Sequence, residues 1–528
     1  MSRRSVRGFL PVLFLLVTTA AALLALTHVE RSGARASGAD PGAEGAQFVP
    51  AAYASEAPPA AAPSPRTAET QAPATTAEPV LPPGSVLHSA RGGEAVTSIA
   101  RMYLPQTPYM SVHELEAAIR RANPEIANSK IKGRFLRAGT QVMVPDIEPQ
   151  PLVEHSIPRP RDFEVRAVYL TGTMAGSETG LRIIQRWKDV GGNAIVFDVK
   201  DSDGSVNIPF EHALAPENHL PIRNLPKFVR WAHRLGLHVI ARIAVFRDEL
   251  LIRRHPELAV RSRRAGGAWR ENGKLVWTDP SNAEVQDYNI ALAKTAAAGG
   301  VDEVQYDYVR FPAEGDQADA KFDFQTVEKR TRADVIEDFL AKSQKALPSG
   351  VLFSLDVFGV MAWQRPVDLG HTGQDIVRMA KHCDVLSPMI YPSHFFGMDG
   401  YAAPGDAPEH FISESMARFA KITTGSGVVL RPWLQAFAWR TKTYSPEYIE
   451  TQVATAKKQG GVGFLLWNAR NDYSKPFAAM AAMRQAPEKF FKPEQSPAAA
   501  AERGATSSSA TPSATSSSAA RAIAAQPH

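Results

Sequence analysis

A pattern of one strand followed by one amphipathic helix repeats eight times between residues 163 and 487, and this repetition constrains the fold more than any other feature. Apolar runs of strand length that alternate with helical segments predict parallel strands joined by helices. Eight such units over about 320 residues are typical of an α/β protein built as a (β/α)8 TIM barrel. An open, doubly wound sheet is disfavoured, because no Gly-x-Gly-x-x-Gly motif opens the first helix.

The predicted elements follow from this periodicity. Strands are predicted at 165–171, 193–199, 237–245, 302–309, 350–358, 384–391, 428–436 and 462–468. Helices are predicted near 181–190, 224–235, 283–298, 331–346, 371–382, 409–421, 446–459 and 474–485. The barrel domain is therefore expected at 160–488, with a long insertion after the third strand at about 247–282 that lies over the mouth of the barrel.

The two ends of the chain predict export and flexible segments. Three arginines within the first seven residues precede an uncharged apolar run, which is typical of an export signal. The run is long enough to span a bilayer, so residues 1–30 are either a signal peptide or a retained membrane anchor. Either way, the rest of the chain is expected outside the cytoplasm, in the periplasm or cell envelope. Composition predicts a disordered linker at 31–84 and a disordered tail at 489–528.

Charge and cysteine content argue against two classes of function. The net charge is +5 over 528 residues, and basic residues cluster only at the N-terminus and at 261–264. Such a distribution does not predict a nucleic-acid partner. The chain has one cysteine, Cys383, so an intramolecular disulfide and a cysteine-based zinc site are both excluded. No cofactor is predicted.

Polar residues at the carboxyl ends of the strands form the candidate site, since barrel enzymes place their reacting groups there. Alternation along strands 2, 4 and 5 points Asp198, Asp307 and Asp356 into the barrel. Glycoside hydrolysis requires two carboxyl groups that flank the scissile bond, and Asp307 and Asp356 are the predicted catalytic pair. Aromatic side chains at the mouth offer apolar faces for sugar rings. The predicted substrate-binding residues are Asp198, Arg242, Arg310, Tyr391, Trp433, Gln435, Trp467 and Asn468.

Other interpretations of these residues remain open. Each carboxylate can instead form an ion pair that fixes a strand end, Asp198 with Lys200 or Asp307 with Arg310. A divalent metal site built from the three aspartates is disfavoured because no histidine lies among them. A serine nucleophile is disfavoured because the chain has no Gly-x-Ser-x-Gly motif.

Residues 85–148 are predicted to fold in the order β-α-α-β, and they resemble a LysM module. The resemblance lies in the Gly-Glu-x-x-x-Ser-Ile-Ala sequence from Gly93, in Asn123-Pro124 and in the Gly-x-x-x-x-Val-Pro sequence from Gly139. It implies binding of N-acetylglucosamine-containing glycans, such as peptidoglycan and chitin. The long loop after Tyr103 departs from the LysM pattern, and a spacer without glycan binding is the alternative.

Three barrel motifs resemble those of the bacterial putative glycosyl hydrolase family. They are Phe197-Asp198-Val199-Lys200-Asp201, the Gln-Tyr-Asp-Tyr-Val-Arg-Phe-Pro sequence at 305–312 and the Ser-Pro-Met-Ile-Tyr-Pro sequence at 387–392. The resemblance covers about residues 165–485. The strand 4 motif is also similar to that of α-galactosidase-like barrels, which implies a nucleophilic role for Asp307 alone.

The predicted function is hydrolysis of a cell-wall or extracellular polysaccharide, which is the first predicted partner. The other predicted partners are peptidoglycan, through the LysM-like module, and the membrane if the N-terminal segment is uncleaved. Two alternatives belong to other classes. One is a non-catalytic glycan- or peptidoglycan-binding protein on a TIM-barrel scaffold. The other is a metal-dependent polysaccharide deacetylase.

Overall fold

The structure is a computed structural model that describes residues 81–127, 135–217, 219–327 and 329–493. The predicted signal or anchor segment, nearly all of the predicted linker and the tail beyond residue 493 lie outside these ranges. Within them, no helix combines the length and the apolar character that a membrane crossing requires.

Eight parallel strands close into a barrel, which confirms the predicted α/β fold. Each strand pairs with its neighbours in chain order, strand 1 pairs with strand 8, and strand 5 pairs with strand 6. Strand 7 is interrupted at Pro432, which has no backbone N–H to donate. Strands 1 to 8 are Val165–Leu170, Ala194–Lys200, His238–Ala244, Glu303–Asp307, Leu352–Phe358, Val385–Ile390, Val429–Leu430 with Trp433–Gln435, and Gly463–Trp467.

Helices surround the barrel at nearly all of the predicted positions. They are Glu178–Asp189, Leu225–Arg234, Ala283–Ala298, Arg332–Ala346, Pro366–Thr372, Ile376–Met379, Pro408–Ile422, Pro446–Lys458 and Ser474–Met483. The one helix predicted at 371–382 is instead two short helices. Gly373 ends the first of them in a left-handed conformation (φ 71°), which glycine adopts without steric cost.

The amino end of the barrel is closed by a buried charge cluster. Arg431 Nη1 donates to Glu303 Oε2 at 2.8 Å, and His238 Nε2 lies 3.1 Å from the same oxygen. Burial acts to raise the pKa of Glu303, but Arg431 and His238 outweigh it and hold that pKa at about 2. The carboxyl ends of the strands lie at the opposite end of the barrel, which is called the mouth here.

The N-terminal module has the predicted β-α-α-β order. Strands Val86–Ser89 and Gln141–Val144 pair in antiparallel fashion, and helices Val96–Tyr103 and Val112–Ala122 lie between them in the sequence. A third, short helix follows at Pro124–Ala127. The fold order alone does not test glycan binding, which stays a prediction.

One carboxylate joins this module to the barrel. Glu114 Oε2 accepts the backbone N–H of Ser111 at 2.9 Å and so caps the second helix of the module. Its other oxygen accepts Trp231 Nε1 at 2.9 Å and Gln185 Nε2 at 2.7 Å, both from barrel helices. The module is therefore held against the barrel through the same side chain that orders its own helix.

Candidate active site

Arg242, at the end of strand 3, is the centre of the polar group at the barrel mouth. Its Nη1 donates to Asp198 Oδ1 at 2.5 Å, and its Nε and Nη2 donate to Asp307 Oδ2 at 3.2 and 2.6 Å. Its Nε also lies 3.8 Å from Asp356 Oδ2. Inward alternation on strands 2 to 5 therefore brings three carboxyl groups around one buried guanidinium.

The Asp307 carboxyl group accepts hydrogen bonds through both oxygens. In addition to the two bonds from Arg242, its Oδ1 accepts the N–H of Tyr308 at 2.5 Å. Tyr308 adopts a left-handed backbone conformation (φ 53°), which is uncommon for a bulky residue and is typical of functional sites. Three N–H donors thus hold the Asp307 carboxyl group in one orientation.

The Asp356 carboxyl group has a different environment. Its Oδ1 accepts Trp433 Nε1 at 2.7 Å, while its Oδ2 has no hydrogen-bond partner among the described residues. Burial and the negative charge of Asp307 raise the pKa of Asp356 well above its usual range, although Arg242 acts in the opposite direction. The raised pKa favours the protonated form of this carboxyl group.

Asp198 is the third carboxyl group, and it is the most completely enclosed. Its Oδ2 accepts the Tyr169 hydroxyl and its Oδ1 accepts Arg242. Burial raises the pKa of Asp198 to about 8, while Arg242 and the Tyr169 hydroxyl oppose that rise because they stabilise the carboxylate. With both oxygens engaged by protein donors, Asp198 is placed to orient Arg242.

Aromatic rings cover the barrel interior beside these carboxyl groups. Tyr169 stacks on Trp467 with ring centroids 4.0 Å apart and an interplanar angle of 24°, and Trp433 meets Trp467 edge-on at 5.7 Å. Tyr391 packs against the same cluster. Trp467 and Tyr391 are partly exposed, whereas Trp433 is buried. The two exposed rings are thus the ones that a ligand can reach.

Tyr169 was not among the residues predicted from the sequence. Strand 1 ends without a charged residue, so the pattern of acidic residues at strand ends did not indicate Tyr169. Alternation was nevertheless a usable signal, because Val165, Ala167 and Tyr169 form the inward row of that strand.

The alternative ion pairs, Asp198 with Lys200 and Asp307 with Arg310, are not the pairs that the structure contains. Lys200 Nζ pairs with Asp248 at 2.8 Å and also donates to Asn289, on the helix side of strand 2. Arg310 donates to the carbonyl of Phe311, and its guanidinium lies 4.3 Å from the Phe358 ring centroid and 4.7 Å from that of Trp277. Asp198 and Asp307 are ion-paired, but with Arg242.

Gln435 and Asn468 have their amide groups occupied by loop backbone. Gln435 Oε1 accepts the N–H of Ser393, and its Nε2 donates to the carbonyl of Phe437. Asn468 Nδ2 donates to the carbonyls of Ala436 and Asp472. Both side chains therefore hold the loops at the mouth in place.

A further carboxyl group that the sequence did not indicate, Glu314, lies in the loop after strand 4. It is partly buried and accepts Asn272 Nδ2 at 3.1 Å, from the insertion after strand 3. Burial and the neighbouring Glu271 raise the pKa of Glu314 to about 7. Glu314 is therefore a titratable carboxyl group on the loops above the mouth, in addition to the three on the strands.

The mouth does not have the form of a metal site. Over the described ranges, no group of three or more His, Cys, Asp or Glu side chains is arranged to hold an ion. The guanidinium of Arg242 supplies the positive charge between Asp198 and Asp307.

Comparison with known proteins identifies the barrel. Among solved structures, a hypothetical protein from Ruminiclostridium thermocellum ATCC 27405 is 35% identical over 36% of this chain and 97% of its own (TM-score 0.31). The PgaB (BpsB) glycoside hydrolase domain from Bordetella bronchiseptica is 16% identical over 62% of this chain and 97% of its own (TM-score 0.44). A beta-galactosidase from the psychrophilic Marinomonas ef1 is 11% identical over 61% and 59% (TM-score 0.45).

No curated protein matches the sequence. The family model of a putative glycosyl hydrolase domain, DUF4015, matches residues 167–473, which is more than half of the chain and includes all eight barrel strands in whole or in part. The protein belongs to this glycosyl hydrolase family, and its barrel is that of a glycoside hydrolase.

Proposed function

We propose that the barrel hydrolyses glycosidic bonds in a cell-wall or extracellular polysaccharide, with Asp307 and Asp356 as its catalytic pair. The observation that carries the proposal is the contrast between these two carboxyl groups around Arg242. One accepts three hydrogen bonds from donors, and the other keeps a buried oxygen without a partner among the described residues. Glycoside hydrolysis requires two carboxyl groups with different roles, and these two groups have correspondingly different surroundings.

Asp356 takes the role of general acid and base. Its proton passes to the glycosidic oxygen as the bond from that oxygen to the anomeric carbon breaks. The raised pKa of Asp356 favours the protonated form that a general acid needs, and Trp433 fixes the carboxyl group through the other oxygen. Asp356 later accepts a proton from the attacking water.

Asp307 takes the role of nucleophile or electrostatic stabiliser. Its carboxylate faces the positive charge that develops on the sugar ring as the leaving group departs. Arg242 and the N–H of Tyr308 hold the carboxylate in one orientation, so little reorganisation is needed during the reaction. The Asp307 side chain is 9% exposed and that of Asp356 is 1% exposed, so Asp307 is the more accessible of the two.

The separation of the two groups is compatible with this chemistry. Asp307 Oδ2 and Asp356 Oδ2 lie 3.2 and 3.8 Å from the same Arg242 Nε atom, so they are at most about 7 Å apart. Retaining enzymes hold their carboxyl groups about 5–5.5 Å apart and inverting enzymes about 6.5–9.5 Å apart. This upper bound admits the retaining distance and the short end of the inverting range.

The test first screens the full-length protein against purified peptidoglycan and soluble oligosaccharides of several linkages, scored for new reducing ends. Asp307→Asn and Asp356→Asn are then compared on a natural substrate and on its dinitrophenyl glycoside, whose leaving group needs no protonation. Each variant should lose at least about a hundredfold in kcat/KM on the natural substrate. On the dinitrophenyl glycoside, only Asp307→Asn should remain impaired.

Glu314→Gln is the matched control, since Glu314 is a carboxyl group on the loops above the mouth whose pKa is also raised. If Glu314→Gln is rescued by the activated leaving group and Asp356→Asn is not, the acid role belongs to Glu314. Hydrolysis that stops on chelation would favour the metal-dependent deacetylase alternative. Binding without any hydrolysis would favour the glycan-binding alternative.

We also propose that residues 85–148 bind peptidoglycan and that the protein works outside the cytoplasm, held at the membrane if the N-terminal segment is uncleaved. The β-α-α-β order and the motifs that resemble LysM support the first part. The arginines before the apolar run support the second. Retention of the full-length protein on insoluble peptidoglycan, and a fusion of residues 1–40 to a reporter active only outside the cytoplasm, test the two parts separately.

A further inference from the structure

The loops after strands 6 and 7 carry a connected group of partly exposed rings beside the mouth, here called the rim cluster. His394 and Trp439 have ring centroids 5.0 Å apart, and Phe396 meets Trp439 at 6.0 Å. The members of the cluster are Tyr391, His394, Phe396, Phe437 and Trp439, and all five are partly exposed. They are the only set of rings that links these two loops in the described part of the chain.

The rim cluster is continuous with the catalytic pair. The Tyr391 ring lies 5.7 Å from Phe437 in the rim cluster, and it also packs against the cluster inside the barrel that contains Trp433 and Trp467. Burial raises the pKa of Tyr391 well above its usual range, and the charges of Asp356 and Asp307 add to that effect. One apolar path therefore leads from the carboxyl groups to the outer edge of the mouth.

The two loops are held together rather than left loose. Gln435 bonds to Ser393 in the first loop and to Phe437 and Thr441 in the second. A ring surface that is fixed before binding loses little conformational entropy when a ligand stacks on it.

Arg440 adds charge and backbone strain at the outer edge of the cluster. Its guanidinium lies 3.9 Å from the Phe396 ring centroid and 4.5 Å from that of Trp439. Its backbone is left-handed (φ 50°), a conformation that is costly for a residue with a side chain and that concentrates at functional sites. Arg440 itself is exposed, so its N–H groups are available to a ligand.

The chemistry of this surface fits a sugar ring. Pyranose rings present an apolar C–H face and a rim of hydroxyl groups, and binding sites for such ligands combine aromatic faces with a few polar groups. Burial lowers the pKa of His394 to about 4, so its imidazole is neutral and can exchange hydrogen bonds with hydroxyl groups. Arg440 supplies donors on the same edge.

We infer that the rim cluster binds an outer saccharide unit of the same polymer chain whose scissile bond lies between Asp307 and Asp356. The enzyme then binds oligosaccharides longer than two units more tightly than dimers. This inference rests on the proposed function for the position of the scissile bond. The binding that it predicts is nevertheless separable from hydrolysis, because the rim cluster contains neither carboxyl group.

The test measures affinity in an Asp307→Asn background, where binding is observed without turnover. Titration calorimetry compares the dimer and hexamer of chito-, cello- and xylo-oligosaccharides and of peptidoglycan glycan fragments. At least one hexamer should bind about tenfold or more tightly than its dimer. Adding Trp439→Ala should reduce that ratio by about three- to tenfold, since one stacked ring contributes affinity of this order.

Tyr401→Ala is the control, because Tyr401 is an exposed ring in the same strand 6 loop whose ring contacts are with His410 and Phe411 and not with the rim cluster. It should leave the ratio unchanged. Equal affinity for dimer and hexamer in every series, a ratio that Trp439→Ala does not reduce, or a surface that binds peptides instead would overturn the inference. Length-dependent binding without hydrolysis by the wild type would uphold the inference and reject the proposed function.

Discussion

Arg242 donates two hydrogen bonds to a single oxygen of Asp307, from Nε at 3.2 Å and from Nη2 at 2.6 Å. Its third group, Nη1, is then left for Asp198. A guanidinium can serve both carboxylates at once because its N–H groups point in fixed, divergent directions. The mouth is therefore built around the shape of one arginine as well as its charge.

We predict that Arg242→Lys inactivates the enzyme although it keeps the positive charge. An ammonium group is a compact point charge and cannot make the same fixed contacts to Asp198 and Asp307. Activity should fall at least about a hundredfold, in line with the loss of an oriented catalytic carboxylate. Steady-state kinetics measure the effect, and circular dichroism checks that the variant is folded. Near wild-type activity in a folded Arg242→Lys would show that charge alone is sufficient.

The buried pair at the other end of the barrel leads to a stability prediction. Glu303→Gln should lower the free energy of unfolding by roughly 3–5 kcal/mol, because the guanidinium of Arg431 would remain buried without its counter-charge. Urea denaturation measures the loss. Glu303→Gln combined with Arg431→Met should recover most of it, since no unpaired charge is then left. Equal losses in the single and the double variant would contradict this explanation.

Much of this fold could be predicted from the sequence, because it depends on local periodicity. The helix at 283–298 was predicted to the residue, and alternation alone pointed Asp307 and Asp356 inward. The carboxyl ends of the parallel strands lie at the same end of the barrel, so the order of the strands predicts where the site lies.

The pairing of the charged groups could not be predicted in the same way. Asp198 and Arg242 are 44 residues apart, and they meet only because strands 2 and 3 are adjacent and the arginine side chain reaches across the mouth. Lys200 finds its partner, Asp248, at the start of an insertion whose path no periodic pattern specifies. Side-chain reach across a closed barrel is a property of the folded structure.

Docking of the N-terminal module leads to a third prediction. Glu114→Ala removes the acceptor of the buried Trp231 indole and the acceptor of the Ser111 backbone N–H in the capping box. An unsatisfied buried donor costs roughly 1–3 kcal/mol, whereas the N-cap itself, the Ser111 hydroxyl, is kept. The variant should expose the chain between module and barrel to limited proteolysis, whereas Glu116→Ala, on the same helix, should not. Equal protection of both variants would show that other contacts hold the module.

The last prediction concerns stability and pH. A carboxyl group whose pKa is raised in the folded state holds a proton that the unfolded chain has already released. The unfolded state therefore binds fewer protons, and the free energy of unfolding falls as pH rises between the ordinary pKa of aspartate and the raised one. One proton changes that free energy by at most about 1.4 kcal/mol per pH unit.

Asp356 is such a group, because burial and Asp307 raise its pKa well above the usual range. Asp356→Asn keeps an oxygen that accepts the hydrogen bond from Trp433 Nε1, but the asparagine side chain does not ionise. We expect the variant to be inactive on natural substrates and yet more stable than the wild type at pH 8. Chemical denaturation at intervals between pH 4 and 9 should show a shallower decline of the free energy of unfolding for the variant than for the wild type. The reason is that the variant lacks the Asp356 carboxyl group, whose ionisation destabilises the folded state. Parallel curves for the two proteins would mean that Asp356 is ionised in the folded state, which would remove it from the role of acid.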